Sequence, residues 1–308
     1  MITHNKCGAL KVLSLCGGVE TGLYALQKLG IPVKEYHTYE ILPEAIAVSN
    51  YHFPFIVHHG DLYNADFEQF KGFDLILAGT CCQSLSRVRI ENKEVNNGLN
   101  GKSGIFFEAI KALNIIKPRW VMFENVIPSN NEDLKTMTEL IGIDPILINS
   151  NLFSAQDRER YYWTNIPLDN LPGGNSLSFK DVKEDNVNES YFYDKPFKVI
   201  DLNKKVCGEL QVNTTEMCKR IYNPGHKIAT LTCVSGGYQE KKIFDGGRPR
   251  KLTAVEYERL QGFSDGFTDV RINGKKLSYT KRCSLMGNSW NEPTVEFILK
   301  NLKQYISN

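Results

Sequence analysis

The sequence predicts an α/β protein that combines a doubly wound, mostly parallel sheet with a smaller, irregular β-containing domain. Between Lys11 and about Ile166, short apolar runs alternate with stretches of helical periodicity, which is typical of strands covered by helices on both faces. A length of 308 residues with 42% hydrophobic content is sufficient for one large core. After residue 166 the sequence becomes polar and rich in Gly and Asn, which predicts a domain boundary there.

The larger domain begins with a strand predicted at KVLSL (11–15) and a helix at VETGLYALQKLG (19–30) that ends at Gly30. Further strands are predicted at EYHTYEI (35–41), FIVHHGDL (55–62), DLILAG (74–79), RWVMFENV (119–126) and PILINS (145–150). The segment SGIFFEAIKALNIIKP (103–118) has the pattern of an amphipathic helix that Pro118 terminates.

The rest of the chain is less regular. Residues 171–197 show no sustained periodicity, and β-like pieces follow at KIATLTCVS (227–235) and KKIF (241–244). Helices are predicted at TAVEYERLQGF (253–263) and EPTVEFILKNLKQYI (292–306). We therefore expect residues 1–165 with about 282–308 to form the larger domain, and about 166–281 to form the smaller one.

Composition excludes some classes of protein. The 37 basic and 35 acidic residues neither require nor exclude a polyanionic partner. The N-terminus has no signal-peptide pattern and no apolar window is long enough to span a bilayer, so we expect a soluble, cytoplasmic protein without a membrane partner. The eight cysteines form no C-x-x-C pair and have no His at zinc spacing, which argues against a metal site and against a disulfide framework.

Residues that follow the predicted strands point to a ligand site, because ligands of open parallel sheets bind at the carboxyl ends of the strands. Gly17, Gly18 and Gly22 follow the first strand, where they serve either a close ligand approach or a plain turn. Glu40 ends the second strand and Asp61 the third. An acid at the second strand end is the usual partner of a ribose hydroxyl, so the combination favours a nucleoside cofactor.

The next strands bring reactive groups to the same edge. Cys81 and Cys82 follow the fourth strand, where a thiol serves either as an activated nucleophile or as a small buried apolar residue. Glu124 ends the fifth strand, and the next element ends in SAQDRERYYW with Gln156, Arg158 and Arg160. We expect a cysteine, a glutamate and paired arginines to converge on one rim.

These segments resemble those of the S-adenosylmethionine-dependent cytosine-C5 DNA methyltransferases, most closely the compact catalytic domains of the de novo branch. The likeness covers nearly the whole chain in the family's order. The matching segments are LSLCGGVETG, Glu40, GDL with Asp61, GTCCQSLS, FENV, QDRER, RPRKLTAVEYERLQGF and MGNSWNEPTV. The resemblance implies a Rossmann-like class I methyltransferase sheet, a catalytic and cofactor-binding larger domain, and a smaller target-recognition domain.

The resemblance also implies roles for individual residues. Catalytic roles fall on Cys82, Glu124, Arg158 and Arg160. Contacts with S-adenosylmethionine fall on Leu15, Cys16, Gly18, Val19, Glu20, Thr21, Glu40, Ile41, Asp61, Leu62, Gly79, Asn288, Ser289 and Trp290. Contacts with the nucleic acid fall on Gln83, Ser84, Ser86, Asn125, Gln156, Arg87, Arg250 and Lys251, with Arg89, Lys102 and Arg248 as further phosphate candidates.

Three positions depart from the family pattern. Cys16 replaces a phenylalanine of the cofactor loop, Glu20 replaces its second glycine, and Cys81 replaces the proline before the nucleophile. The first two changes alter how the cofactor is packed, and the third either loosens the loop or permits a vicinal disulfide.

The chemistry implied by the resemblance is covalent catalysis. The Cys82 thiolate adds to C6 of a cytosine flipped out of double-stranded DNA, Glu124 protonates N3, and the arginines stabilise the carbonyl side. The product of S-adenosylmethionine is S-adenosylhomocysteine, and no metal is required. TLTCVSGGYQ (230–239) is either a recognition loop or an ordinary β-hairpin.

Three alternatives remain at this stage. The first is an RNA-directed enzyme of the same family, because TCVSGGYQ faintly resembles that branch's Cys-Phe-Thr segment. The second is a catalytically silent regulatory homologue, which the departures at Cys16, Glu20 and Cys81 allow. The third, a nicotinamide oxidoreductase, lacks the glycine fingerprint. We expect a monomer, with a homodimer as the alternative, acting as a solitary or restriction-linked enzyme in a bacterial or phage-infected cell.

Overall fold

The computed structural model describes residues 8–80, 99 and 104–306, and the chain divides into two compact units. Unit 1 comprises Met1–Ile148, Glu159–Asn170 and Thr294–Asn308. Unit 2 comprises Asn149–Arg158 and Leu171–Pro293. Compared with the division expected from sequence, unit 2 also contains residues 149–158 and extends to residue 293 instead of 281.

Strands and helices are numbered here in chain order. The strands are β1 (Leu10–Leu15), β2 (Val33–Tyr39), β3 (Val57–His58), β4 (Leu75–Ala78), β5 (Trp120–Asn125), β6 (Pro145–Asn149), β7 (Gln156–Asp157), β8 (Glu159–Thr164), β9 (Phe197–Val199), β10 (Val206–Leu210), β11 (Arg220–Tyr222), β12 (Ile228–Ala229), β13 (Lys242–Asp245), β14 (Arg248–Lys251), β15 (Arg271–Ile272) and β16 (Lys275–Lys276). The α-helices are α1 (Thr21–Lys28), α2 (Pro43–His52), α3 (Ile105–Ile116), α4 (Asn131–Ile141), α5 (Glu216–Lys219), α6 (Ala254–Gln261), α7 (Tyr279–Asn288) and α8 (Glu292–Leu299).

Unit 1 is built on a seven-stranded sheet in the order β3-β2-β1-β4-β5-β8-β6. Strands β1 to β5 pair in parallel, and β8 runs antiparallel to β5, with Glu124 opposite Tyr162. The order reverses between β1 and β4, which is the switch point where ligands of doubly wound sheets bind. The predicted fold class, a doubly wound and mostly parallel α/β sheet with a smaller β-containing domain, is confirmed.

The central strands of this sheet are buried on both faces. Every residue of β4 and β5 is buried, as expected for parallel strands with helices on either side. Apolar side chains of β1, β4 and β5 pack with those of α3, and the cluster includes Leu13, Ile76, Phe106, Val121 and Trp163. This core fixes the carboxyl ends of three adjacent strands at one edge of the sheet.

Unit 2 contains a five-stranded sheet in the order β14-β13-β11-β10-β9, in which all pairs but β11 with β13 are antiparallel. A small core of Cys207, Leu210 and Ile221 supports it. The strand β12 pairs in parallel with β7, so the segment 149–158 is part of this unit. Residues 230–239 form no strand, which excludes the hairpin alternative for TLTCVSGGYQ.

Several elements differ from the sequence prediction. The third strand is limited to Val57–His58, because the chain turns at Gly60, whose φ of +80° is readily adopted by glycine. The helix predicted at 292–306 is α-helical to Leu299 and continues as a 3₁₀ helix over Lys300–Tyr305. Helices α2, α4 and α7 were not predicted.

Candidate active site

The loop after β1 has an unusual backbone. Cys16, Gly18 and Glu20 have φ values of 57°, 59° and 61°, in the left-handed region that favours glycine. The Gly18 Cα faces open space, since a Cβ built there meets nothing within 4 Å. Two backbone hydrogen bonds attach this loop to the neighbouring strands. The Cys16 amide donates to the Tyr39 carbonyl at 2.9 Å, and the Gly79 amide donates to the Leu15 carbonyl at 3.1 Å.

Glu20 turns its side chain into the protein rather than toward a ligand. The residue is 1% exposed, and its two carboxyl oxygens accept hydrogen bonds from the hydroxyls of Tyr36 at 2.7 Å and Thr38 at 2.5 Å. Burial raises the pKa of Glu20 to about 7. A direct cofactor contact by this side chain, as expected from the resemblance, does not fit the geometry. Tyr36 and Thr38, two positions apart and therefore on one face of β2, were the signal that sequence reasoning missed.

Glu40 organises the opposite side of the same loop. One carboxyl oxygen accepts the Gly18 amide at 2.8 Å, and the other accepts the amides of Ile41 and Leu42 at 2.8 Å each. Ile41 is 65% exposed, which is unusual for a large apolar side chain at a strand end. Asp61, at the end of the next strand, is exposed and accepts the Tyr63 amide at 3.0 Å.

The other residues expected at the cofactor in unit 1 belong to the core. Leu15, Val19, Thr21 and Leu62 are all buried, so their side chains are not available to a ligand. Gly79 is half-buried at the end of β4.

Asn125 anchors the end of β4. Its side-chain amide donates to the carbonyl of Thr80 at 3.3 Å and to the Thr80 hydroxyl at 3.2 Å, and its own oxygen accepts the Val126 amide at 2.8 Å. Asn125 is 1% exposed. We therefore assign it to holding Thr80, the last described residue before the cysteine pair, and not to nucleic-acid contact as expected from sequence.

Glu124 and Arg160 form an ion pair at the carboxyl end of β5. The Arg160 Nε lies 3.1 Å from the Glu124 Oε1, and both side chains are largely buried. Arg160 also donates to the Glu159 carbonyl at 2.7 Å. The antiparallel pairing of β8 with β5, which the sequence did not predict, brings these two residues together.

Gln156 and Arg158 lie in unit 2 and bind its backbone. The Arg158 guanidinium donates to the carbonyls of Leu231, Gly287 and Ser289 at 3.1, 3.3 and 2.9 Å. Gln156 is fully buried and accepts the Leu231 amide at 2.9 Å. Because these polar groups are occupied, we assign both residues to positioning rather than to catalysis or substrate contact.

The structure gives Arg250 a role other than the phosphate contact expected from sequence. Its guanidinium is fully buried and forms salt bridges with Asp245 at 2.7 Å and Glu256 at 2.6 Å. A guanidinium without exposed surface does not suit a phosphate contact, so we assign it to stability. Lys251 is half-buried, with its ammonium over the rings of Tyr191 and Tyr279 at 5.2 and 4.9 Å.

The three residues expected at the cofactor from the C-terminal segment lie in unit 2. Ser289 and Trp290 are buried, and Asn288 is exposed and accepts a hydrogen bond from the Cys233 thiol at 2.7 Å. The remaining residues with a predicted catalytic or nucleic-acid role lie outside the described residues; they are Cys81, Cys82, Gln83, Ser84, Ser86, Arg87, Arg89 and Lys102.

The described residues contain neither a metal-ligand cluster nor a membrane-spanning helix. Within residues 8–80, 99 and 104–306, no group of three or more His, Cys, Asp or Glu side chains is arranged to hold a metal ion. In the same part of the chain, no helix is long and apolar enough to cross a membrane.

The switch-point loop, the acid at the end of β2 and the Glu–Arg pair on β5 and β8 lie at the edge of the sheet where ligands of doubly wound folds bind. The sequence profile described as C-5 cytosine-specific DNA methylase matches residues 10–190. The chain belongs to this family, which confirms the resemblance drawn from its motifs.

Relatives of known sequence agree with this assignment. The chain is 31% identical over 189 residues to the orphan methyltransferase M.SPRI of Bacillus phage SPR, covering 56% of this chain and 42% of that protein. It is 23% identical over 333 residues to the type II methyltransferase M1.ScrFI of Lactococcus lactis subsp. cremoris, covering 98% of this chain and 80% of that protein. The chain thus spans less than half the length of the phage relative that it matches.

Solved structures share the fold over nearly the whole chain. The S. pombe Dnmt2 methyltransferase superposes with a TM-score of 0.66 at 19% identity, covering 96% of this chain and 98% of that one. The Entamoeba histolytica methyltransferase EhMeth gives a TM-score of 0.70 at 18% identity, covering 97% and 99%.

Proposed function

We propose that this protein transfers a methyl group from S-adenosylmethionine to C5 of cytosine in double-stranded DNA, through a covalent bond between Cys82 and C6. The observation that carries the proposal is the Glu124–Arg160 pair, which lies at the end of β5 beside the strand that leads to Cys82. Pyrimidine activation requires a nucleophile and a proton donor, and we propose Cys82 for the first role and the buried carboxyl group of Glu124 for the second.

The residues at the end of β1 and β2 fit the cofactor. Open space beside Gly18 leaves room for a close ligand approach, and the exposed apolar face of Ile41 suits an adenine ring. Glu40 Oε2 accepts one protein hydrogen bond and retains a lone pair for a ribose hydroxyl. Asp61 supplies an exposed carboxylate at the adjacent strand end. When bound, S-adenosylmethionine supplies an electrophilic methyl group.

The protein's own groups prepare the base. Addition of the Cys82 thiolate to C6 forms a C–S bond and turns the ring into an enamine with a nucleophilic C5, while Glu124 delivers a proton to N3. Arg160 orients Glu124 through their 3.1 Å contact. After methylation, loss of the C5 proton to water breaks the C–S bond and restores the thiolate, and N3 returns its proton to Glu124.

DNA is the proposed substrate because the matching family is described as DNA-methylating and the relatives are bacterial type II and phage methyltransferases. A cytosine in duplex DNA must be flipped out of the helix for attack at C6. We propose unit 2 as the target-recognition domain, with Arg248 and Lys251 among its phosphate contacts. The setting is a bacterial or phage-infected cell, with a monomer as the proposed state and a homodimer as its alternative.

A trapping experiment tests this proposal. The protein is incubated with S-adenosylmethionine and a DNA oligonucleotide that contains 5-fluorocytosine, in which fluorine replaces the C5 hydrogen so that the elimination step is blocked, and the adduct is mapped by mass spectrometry. We expect a DNA adduct on Cys82, none with Cys82→Ala, and retained adduct formation with the matched control Cys81→Ala. An adduct on RNA alone would contradict the DNA assignment, and an adduct on another residue would contradict the mechanism.

A further inference from the structure

The most informative feature outside the proposed chemistry is the carboxyl group of Glu20. It lies in the loop between β1 and α1, at a position where the family pattern has glycine, and its φ of 61° is one that glycine adopts without strain. An acidic side chain at such a position requires compensating contacts. The structure provides them in the interior rather than at the ligand face.

Glu20 joins the loop to the first two strands. Tyr36 and Thr38 of β2 donate their hydroxyls to it at 2.7 and 2.5 Å, and the Ser14 hydroxyl of β1 also hydrogen-bonds to it. Its backbone amide donates to the Gly17 carbonyl at 3.0 Å. The loop is thus closed on itself and attached to the sheet through one side chain.

The carboxyl group fills the space behind Gly17. A Cβ built on Gly17 would lie 2.0 Å from the Glu20 Oε1, so the two positions cannot both carry bulk. The neighbouring Gly18 is held from the other side, because its amide donates to Glu40 Oε2 at 2.8 Å. Two carboxyl groups therefore determine the course of the loop at adjacent residues.

We propose that Glu20 is a positioning residue for the methyl donor: its neutral carboxyl group holds residues 16–20 in the form that accepts the cofactor, and its ionisation lowers cofactor affinity. This inference rests on the proposed function, because it takes this loop as the cofactor site. It requires no contact between Glu20 and the cofactor.

The electrostatics around Glu20 support this role. The pKa of Glu20 is raised to about 7: burial is the main cause, the hydroxyls of Thr38, Tyr36 and Ser14 oppose it, and the Glu40 carboxyl group adds a smaller increase. The titratable groups that affect the pKa of Glu20 are Tyr36 and Glu40, and neither supplies a positive charge. When Glu20 ionises, a second negative charge arises beside Glu40, whose hydrogen bond orients Gly18.

A pH series of cofactor binding tests the proposal. Isothermal titration of the whole chain with S-adenosylmethionine should give an affinity that falls about tenfold between about pH 6 and about pH 8, as single-site linkage near pH 7 requires. Glu20→Gln should bind with a flat profile close to the low-pH value, because its amide mimics the neutral acid. An equally steep profile in Glu20→Gln, or a flat one in the wild type, would overturn the proposal.

The packing behind Gly17 is tested separately by thermal unfolding without cofactor. Gly17→Ala should lower the melting temperature, whereas the same change in a Glu20→Gly background should cost much less, because the methyl group enters the vacated space. Equal costs in both backgrounds would overturn the contact. A chain that binds no S-adenosylmethionine at any pH contradicts the proposed function, whereas binding with no pH dependence contradicts only the role of Glu20.

Discussion

The Nε of Arg160 lies 3.1 Å from the Oε1 of Glu124, and the two residues come from neighbouring antiparallel strands of one sheet. The pair is held by main-chain pairing on both sides, so its geometry is set before any substrate arrives. Such preorganisation is what makes a charged group effective in catalysis.

Replacing Glu124 by Gln should abolish proton delivery to the base while leaving the cofactor loop intact. We expect Glu124→Gln to lower the single-turnover methylation rate by about 10²–10⁴-fold, the usual contribution of a general acid. Calorimetric affinity for S-adenosylmethionine should be unchanged. Glu159→Gln, at an exposed position of the same strand as Arg160, is the matched control and should retain the wild-type rate. An undiminished rate in Glu124→Gln would remove Glu124 from the mechanism.

Removing the Asn125 side chain should release Thr80. Asn125→Ala leaves the buried polar groups of Thr80 without their partner, so we expect the free energy of unfolding to fall by about 1–3 kcal/mol. Urea unfolding measures this loss. Thr80→Val is the control, because it removes only the contact with the hydroxyl and keeps the one with the carbonyl. If both variants are equally stable, the anchoring role is excluded.

Arg250 should matter for stability and not for DNA binding. Arg250→Met leaves the buried Glu256 without its cation and Asp245 with Lys183 alone, and we expect a loss of about 3–5 kcal/mol in urea unfolding. Arg248→Gln, at an exposed pair with Glu189, should cost less than about 1 kcal/mol. A stable Arg250→Met variant with weakened DNA binding would restore the role expected from sequence.

Two buried lysines should make stability depend on alkaline pH. Burial lowers the pKa of Lys241 and of Lys242 to about 8, from an ordinary value of 10.5. Because the unfolded chain holds more protons between these values, stability should rise with pH above about 8, by up to about 1.4 kcal/mol per pH unit for each lysine.

Urea unfolding at a series of pH values from 7 upward measures this rise, and Lys241→Met should reduce its slope by about half. Lys242→Met should reduce the slope as well but should also cost stability, because the carbonyls of Tyr238 and Glu240 lose their donor. An unchanged slope in Lys241→Met would show that Lys241 is protonated normally in the folded protein.

The sequence was sufficient to predict the parallel part of the sheet. Apolar runs such as those of β4 and β5 are unambiguous because both faces of these strands are buried. The strand β8, which brings Arg160 to Glu124, was not among the predicted strands. Helix α2 was missed because its apolar residues are not concentrated on one face, and α4 carries few buried residues.

Roles that depend on partners were harder to predict. From sequence, Arg250 is predicted to contact phosphate. In the structure its guanidinium instead donates to Glu256, in the first turn of α6. Gln156 and Arg158 belong to a motif whose residues serve both units, and only the carbonyls that they bind distinguish Arg158 from Arg160. Residue type indicates what a side chain can bind, whereas the fold determines which partner it finds.

The assignment of residues 149–158 to unit 2 has a consequence for protein engineering. A chimera that exchanges the proposed target-recognition domain by grafting only residues 171–293 would separate β12 from β7 and Leu231 from both Gln156 and Arg158. Residues 149–158 and 171–293 should therefore be transplanted together, as two separate segments. A hybrid made with a single contiguous block would have to re-form these contacts with a foreign partner.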